Sequence, residues 1–92
     1  GGSMNVPEKS GVFVLSSGEA RIFVDESQNM RSKVEELLAN PNWQLLEPDK
    51  VSYVEYDGSQ SMRYGLKSAL VQREKPLLNV RLLAYDSELN NA

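Results

Sequence analysis

The chain has 92 residues, 40% of them apolar and 25% charged, with a net charge of −3. That suits one small domain with a thin core, and the mild acidity does not recruit nucleic acid through a global field. With no cysteine and no histidine, the sequence offers no disulfide framework and no thiolate, and it lacks the commonest general base and zinc ligand.

The acids are not spaced as a D-x-D-x-D-G calcium loop, so no metal and no cofactor is expected. No segment approaches the ~20 apolar residues that span a bilayer, and no membrane partner is expected. The lack of cysteine fits a reducing compartment, and the expected location is cytoplasmic. Gly1 to Ser3, ahead of Met4, read as a cloning remnant. The expected organisation is a loose lead-in through residue 10, one domain over 11–86 and a polar tail over 87–92.

The first element is a β-hairpin. In "GVFVLSSGEARIFV" alternating β-branched and aromatic residues flank a Ser17-Gly18 turn. Both faces are largely apolar, so this hairpin is expected to be central in a sheet, or covered on one side and engaged on the other. Next comes an amphipathic helix. Met30, Val34, Leu37 and Leu38 fall at i, i+4, i+7 and i+8, one stripe of a 3.6-residue period. Asp25 with Gln28, or Ser27, is the expected N-cap, and Asn40-Pro41 the stop. Arg31, Lys33, Glu35 and Glu36 form its solvated outer face. Trp43, Leu45 and Leu46 are read as a short strand, with Trp43 plugging the core.

The stretch "YVEYDGSQSMRYGLK" from Tyr53 to Lys67 has two readings. As a hairpin about Asp57-Gly58, a strong turn signal, it gathers Val51, Tyr53, Met62 and Tyr64 on one face expected to be buried. As a helix, Ser59 caps it and Met62, Leu66, Ala69 and Leu70 form a stripe, with Gly65 costing about 1 kcal/mol in mid-helix. The coherent face favours the hairpin. Further on, a turn at Lys75-Pro76 would pair Val71 with Val80, and Leu78 to Tyr85 reads as a strand. The expected fold class is α+β: an antiparallel or mixed sheet of about five to six strands, with one amphipathic helix packed on one face and a second helix as an alternative over 59–73. A β-grasp-like arrangement accommodates this order.

No nucleophile elbow, P-loop or dinucleotide motif is present, so no catalytic residue is assigned and no enzyme is expected. Tyr and Arg carry interface hot spots, which makes Tyr56, Arg63, Lys67 and Arg81 the candidate binding residues. The favoured reading is a small non-catalytic protein-interaction domain (an adaptor, inhibitor or assembly subunit) that binds an unspecified protein, or a second copy of itself, through its sheet. The alternative is a nucleic-acid-associated regulator using the basic 58–85 segment. That segment carries Arg63, Lys67, Arg73, Lys75 and Arg81 against Glu74.

Overall fold

The computed structural model describes residues 5–76. Strands β1 (Gly11–Ser17) and β2 (Ala20–Ser27) form the expected antiparallel hairpin, closed at Gly18 and Glu19. Gly18 takes a positive φ of 59°, a backbone state that favours glycine. The register slips between Leu15 and Ser16. Helix α1 (Met30–Leu38) follows, then a single-turn helix α2 (Pro41–Gln44), strand β3 (Lys50–Glu55) and helix α3 (Gln60–Glu74). β3 pairs antiparallel with β1, giving a three-stranded sheet in the order β2-β1-β3. The fold is α+β as expected, with three strands among the described residues in place of five to six.

β1 is apolar on both faces, and both faces are covered. Phe13 and Leu15 point to one side and pack with Val6, Met30 and Val34 beneath α1. Val12 points to the other side and packs with Val24 and Val71 beneath α3, flanked by Val14, Leu66 and Leu70. Each such side chain contributes about 1.5–3 kcal/mol on full burial. Helices therefore lie on both faces of the sheet. The expected single covered face, and with it the β-grasp-like layout, is corrected.

Local signals set the helix ends. Asn29, not Ser27 or Asp25, caps α1, its side chain accepting from the Ser32 N–H at 3.1 Å. Ser27 instead donates to the Asn29 carbonyl and accepts from its N–H, shaping the approach to the helix. Pro41 does not merely stop α1. It opens α2 at a position where its missing N–H costs nothing, with Asn40 capping the Asn42 N–H at 2.9 Å. The expected Trp43 strand is thus a helical turn, and Trp43 packs edge-on against Phe23 with ring centroids 5.0 Å apart.

The Asp57-Gly58 hairpin does not form. Ser59 instead caps α3 by accepting from the Met62 N–H at 3.2 Å, a bond worth about 1 kcal/mol, and the helix lays Leu66, Leu70 and Val71 over the Val12 side of the sheet. Val51 is half-buried against the α1-side core, but Tyr53, Met62 and Tyr64 are 45%, 60% and 56% exposed. The predicted buried face is not one face at all. Lys75 is the αL cap of α3, its N–H returning to Val71, and Pro76 prevents continuation. Lys75-Pro76 is thus a helix stop rather than a hairpin turn. The Leu78–Tyr85 strand, Val80 and Arg81 lie outside the described residues.

Two glycines carry opposite predictions. A Cβ on Gly11 would press on the Val54 carbonyl and the Met30 thioether, where β1, β3 and α1 converge. Gly11→Ala should cost about 1–3 kcal/mol by overpacking. A Cβ on Gly65, in mid-α3, would meet nothing. Gly65→Ala should add about 1 kcal/mol. Urea denaturation of the two variants reads both signs.

Candidate functional site

α3 lies along β2 and is held there by charge as well as by its apolar stripe. The contacts run in opposite chain directions, from Arg63 beside Glu26 to Glu74 beside Arg21. Arg63 Nε donates to Glu26 Oε2 at 2.9 Å, and its Nη1 donates to the Gly58 carbonyl at 2.9 Å. Both side chains are about nine-tenths buried. One turn further on, Lys67 Nζ is 3.2 Å from Asp25 Oδ1 and sits 4.9 Å from the centroid of the Tyr64 ring. Asp25 also accepts the Glu26 N–H at 2.8 Å. The last pair, Arg21 with Glu74 at 3.6 Å, is the most exposed of the three.

Beside the Arg63–Glu26 pair opens a polar groove of about 560 Å³, within the usual size range of ligand sites. The end of β2 contributes Asp25, Glu26 and Ser27, the following loop Gln28, and α1 contributes Lys33. The opposite wall is the loop into α3, with Gly58, Ser59, Gln60 and Arg63. Lys33 enters no ion pair among the described residues. A second groove, also bordered by Gln28, is lined by Lys9, Ser10, Glu55, Tyr56 and their neighbours.

The four candidate binding residues therefore separate. Arg63 lies in the first groove and Tyr56 in the second. Tyr56 is tied down by its backbone, which exchanges bonds with Ser10, and its hydroxyl donates to the Met62 sulfur at 3.4 Å. Lys67 is turned toward Asp25 and borders neither groove. Arg81 lies outside the described residues. The basic segment is not a free stripe, because Arg63 and Lys67 are matched to acids on β2. Lys33, Glu26, Gln28, Ser59 and Gln60 were missed as groove residues. The signal was the i, i+4 spacing of Arg63 and Lys67, legible only once 60–74 is read as a helix.

No family model matches this sequence, and no curated protein matches it. Solved structures do. The GIY-YIG N-terminal endonuclease domain of UvrC from Thermotoga maritima, bound to its catalytic divalent cation magnesium, superposes with a TM-score of 0.63 at 15% identity. The match covers 79% of this chain and 85% of that one. A tyrosine-to-phenylalanine point mutant of the same domain gives 0.64 at 14% identity over 82% and 87% of the two chains. An asparagine-to-alanine mutant gives 0.65 at 14% over 79% and 84%.

The fold is GIY-YIG-like.

This likeness overturns the expectation of a non-catalytic protein-interaction domain, and with it the expected absence of enzyme chemistry and of metal. The solved structures it is compared with above are an endonuclease domain holding a catalytic cation. Reasoning by elimination failed because it looked for histidine, cysteine and familiar motifs. The sequence contains neither Gly-Ile-Tyr nor Tyr-Ile-Gly. The nearest tripeptide is Gly11-Val12-Phe13 on β1, where the Phe13 ring is fully buried. A divalent cation of this kind needs several hard oxygen ligands. Among the described residues no three acid, histidine or cysteine side chains converge to supply them. Asp25 and Glu26 are each engaged by a cationic side chain. The described residues do not fit the cation. Among these residues, no helix is long and apolar enough to cross a membrane.

The two inner ion pairs should differ in weight. Arg63→Ala strands a buried carboxylate and should cost about 3–5 kcal/mol. Lys67→Ala, at a more accessible pair, should cost about 1 kcal/mol or less. Chemical denaturation of both variants measures the difference, and equal losses would mean that the Arg63 pair carries no special weight.

Proposed function

We propose that this chain acts on nucleic acid, with the groove between the end of β2 and the start of α3 as the contact surface. The observation that carries the reading is the likeness to an endonuclease domain over about four-fifths of the chain, at TM-scores of 0.63 to 0.65. The groove supports it. It offers an ammonium at Lys33, a guanidinium at Arg63, and hydroxyl or amide groups at Ser59, Gln28 and Gln60, while the carboxylates of Asp25 and Glu26 on its wall are matched by Lys67 and Arg63. These are donor types that contact phosphate and sugar oxygens without reading sequence. The chain is acidic overall, so binding depends on this local set and not on net charge.

Fluorescence polarisation with short single-stranded and duplex oligonucleotides, at two salt concentrations, tests the reading. Binding is expected at low salt and should weaken as salt rises, because phosphate contacts release counterions. No binding at low salt would reject it. A second reading, phosphodiester cleavage, is favoured by the endonuclease domain among the solved neighbours, while the described residues by themselves assemble no cation site. A plasmid-nicking assay with and without magnesium addresses it. Magnesium-dependent nicking supports cleavage, and an intact plasmid alongside measurable binding confines the activity to binding.

A further inference from the structure

We infer that Arg63 and Lys33 form a phosphate-anchoring subsite, with the guanidinium pre-set by Glu26 and the Gly58 carbonyl. The inference rests on the nucleic-acid reading above and names the atoms that would hold the backbone. A guanidinium carries five N–H donors in a rigid fork. Here Nε is directed to Glu26 and Nη1 to Gly58, each at 2.9 Å. These two bonds fix the plane of a side chain that is about nine-tenths buried.

Nη2 has no hydrogen-bond partner among the described residues. No fully buried side-chain nitrogen or oxygen among them is left without a partner. Nη2 therefore meets solvent, and Arg63 borders the groove. Lys33 borders the same groove from α1, with no acid paired to it among the described residues. The groove also receives the first turn of α3, a helix of 15 residues. Ser59 caps the Met62 N–H there, while the first N–H groups of a helix have no partner within it. The groove thus gathers an oriented guanidinium edge, an ammonium and a helix N-terminus, each favourable to an anion.

Glu26 takes Nε and the Gly58 carbonyl takes one N–H of Nη1, so an incoming anion is offered the two N–H groups of Nη2 and the second of Nη1. A phosphate group, with several oxygens, would be shared between this edge and Lys33, which borders the same groove. The subsite carries no base-reading geometry, and the expected binding is independent of sequence.

The test is the salt dependence of oligonucleotide binding by the full chain. Lys33→Gln should lower the slope of log affinity against log salt by about 1, the signature of one lost phosphate contact. Arg63→Lys keeps a charge beside Glu26 but loses the fork, and should weaken binding of all sequences alike. Circular dichroism confirms that both variants are folded, and Lys33→Gln, on a helix surface, keeps the test decisive if Arg63→Lys is not. Lys50→Gln, on β3 and away from the groove, should bind as the parent chain does. If the parent binds and Lys33→Gln retains its slope and affinity, the subsite is overturned while the nucleic-acid reading stands. If the parent fails to bind at low salt, both are overturned.

Discussion

Strand β1 has no polar face, and that constraint organises the rest of the molecule. Val12 and Phe13 are neighbours in sequence and point to opposite sides, yet both are buried completely or nearly so. A strand of this kind must be covered twice and must have strands on both edges. β2 and β3 supply the edges, α1 covers the Phe13 side, and α3 covers the Val12 side. Gly11 marks where the arrangement is tightest, since β3 and Met30 approach its Cα too closely for any side chain.

The groove follows from this layering. α3 must reach β2 to cover the Val12 side, and its register along the strand is fixed by charge as well as by shape. Arg63, Lys67 and Glu74 meet Glu26, Asp25 and Arg21, three ion pairs spread along the length of the contact. The loop from Glu55 to Gln60 cannot follow α3 onto the sheet, because it first has to leave β3. The space it spans is the groove, bordered by the end of β2 on one side and by α1 at Lys33 on the other.

What was legible in the sequence was what is local. The β1–β2 hairpin and the stripe of α1 announce themselves within a dozen residues, through alternation of period 2 and of period 3.6. The 53–67 stretch was misread because two local signals compete there. Asp57-Gly58 favours a hairpin and Ser59 favours a helix. The contest is decided by partners distant in sequence, since a helix brings Leu66, Leu70 and Val71 together over Val12 and Val24 on the uncovered side of the sheet. The same choice decides the site. On a strand, Arg63 shares a face with Tyr56; on a helix it shares one with Lys67, toward β2. Arg63 is thus singled out by the sequence but assigned to neighbours that the helix replaces. Lys33 was set aside as part of a solvated helix face, because nothing in the sequence shows that this face ends at a groove.

A buried arginine is an expensive way to fasten a helix to a strand. Desolvating a guanidinium and a carboxylate costs several kcal/mol before their attraction offsets it, and an apolar pair of similar volume often does as well or better. α3 already has an apolar stripe in Leu66, Leu70 and Val71 packed on the sheet. The Arg63–Glu26 pair is therefore weak as an explanation of stability alone. What it achieves that an apolar pair could not is orientation: two bonds hold the plane of the guanidinium, which keeps unused N–H groups on a residue that borders a groove. Lys67, more accessible and tied to Asp25 and the Tyr64 ring, lacks that geometry although its charge is the same. The distinction between the two cations lies in how firmly each is held and in what it borders, and on the proposed reading only Arg63 does more than fasten the fold.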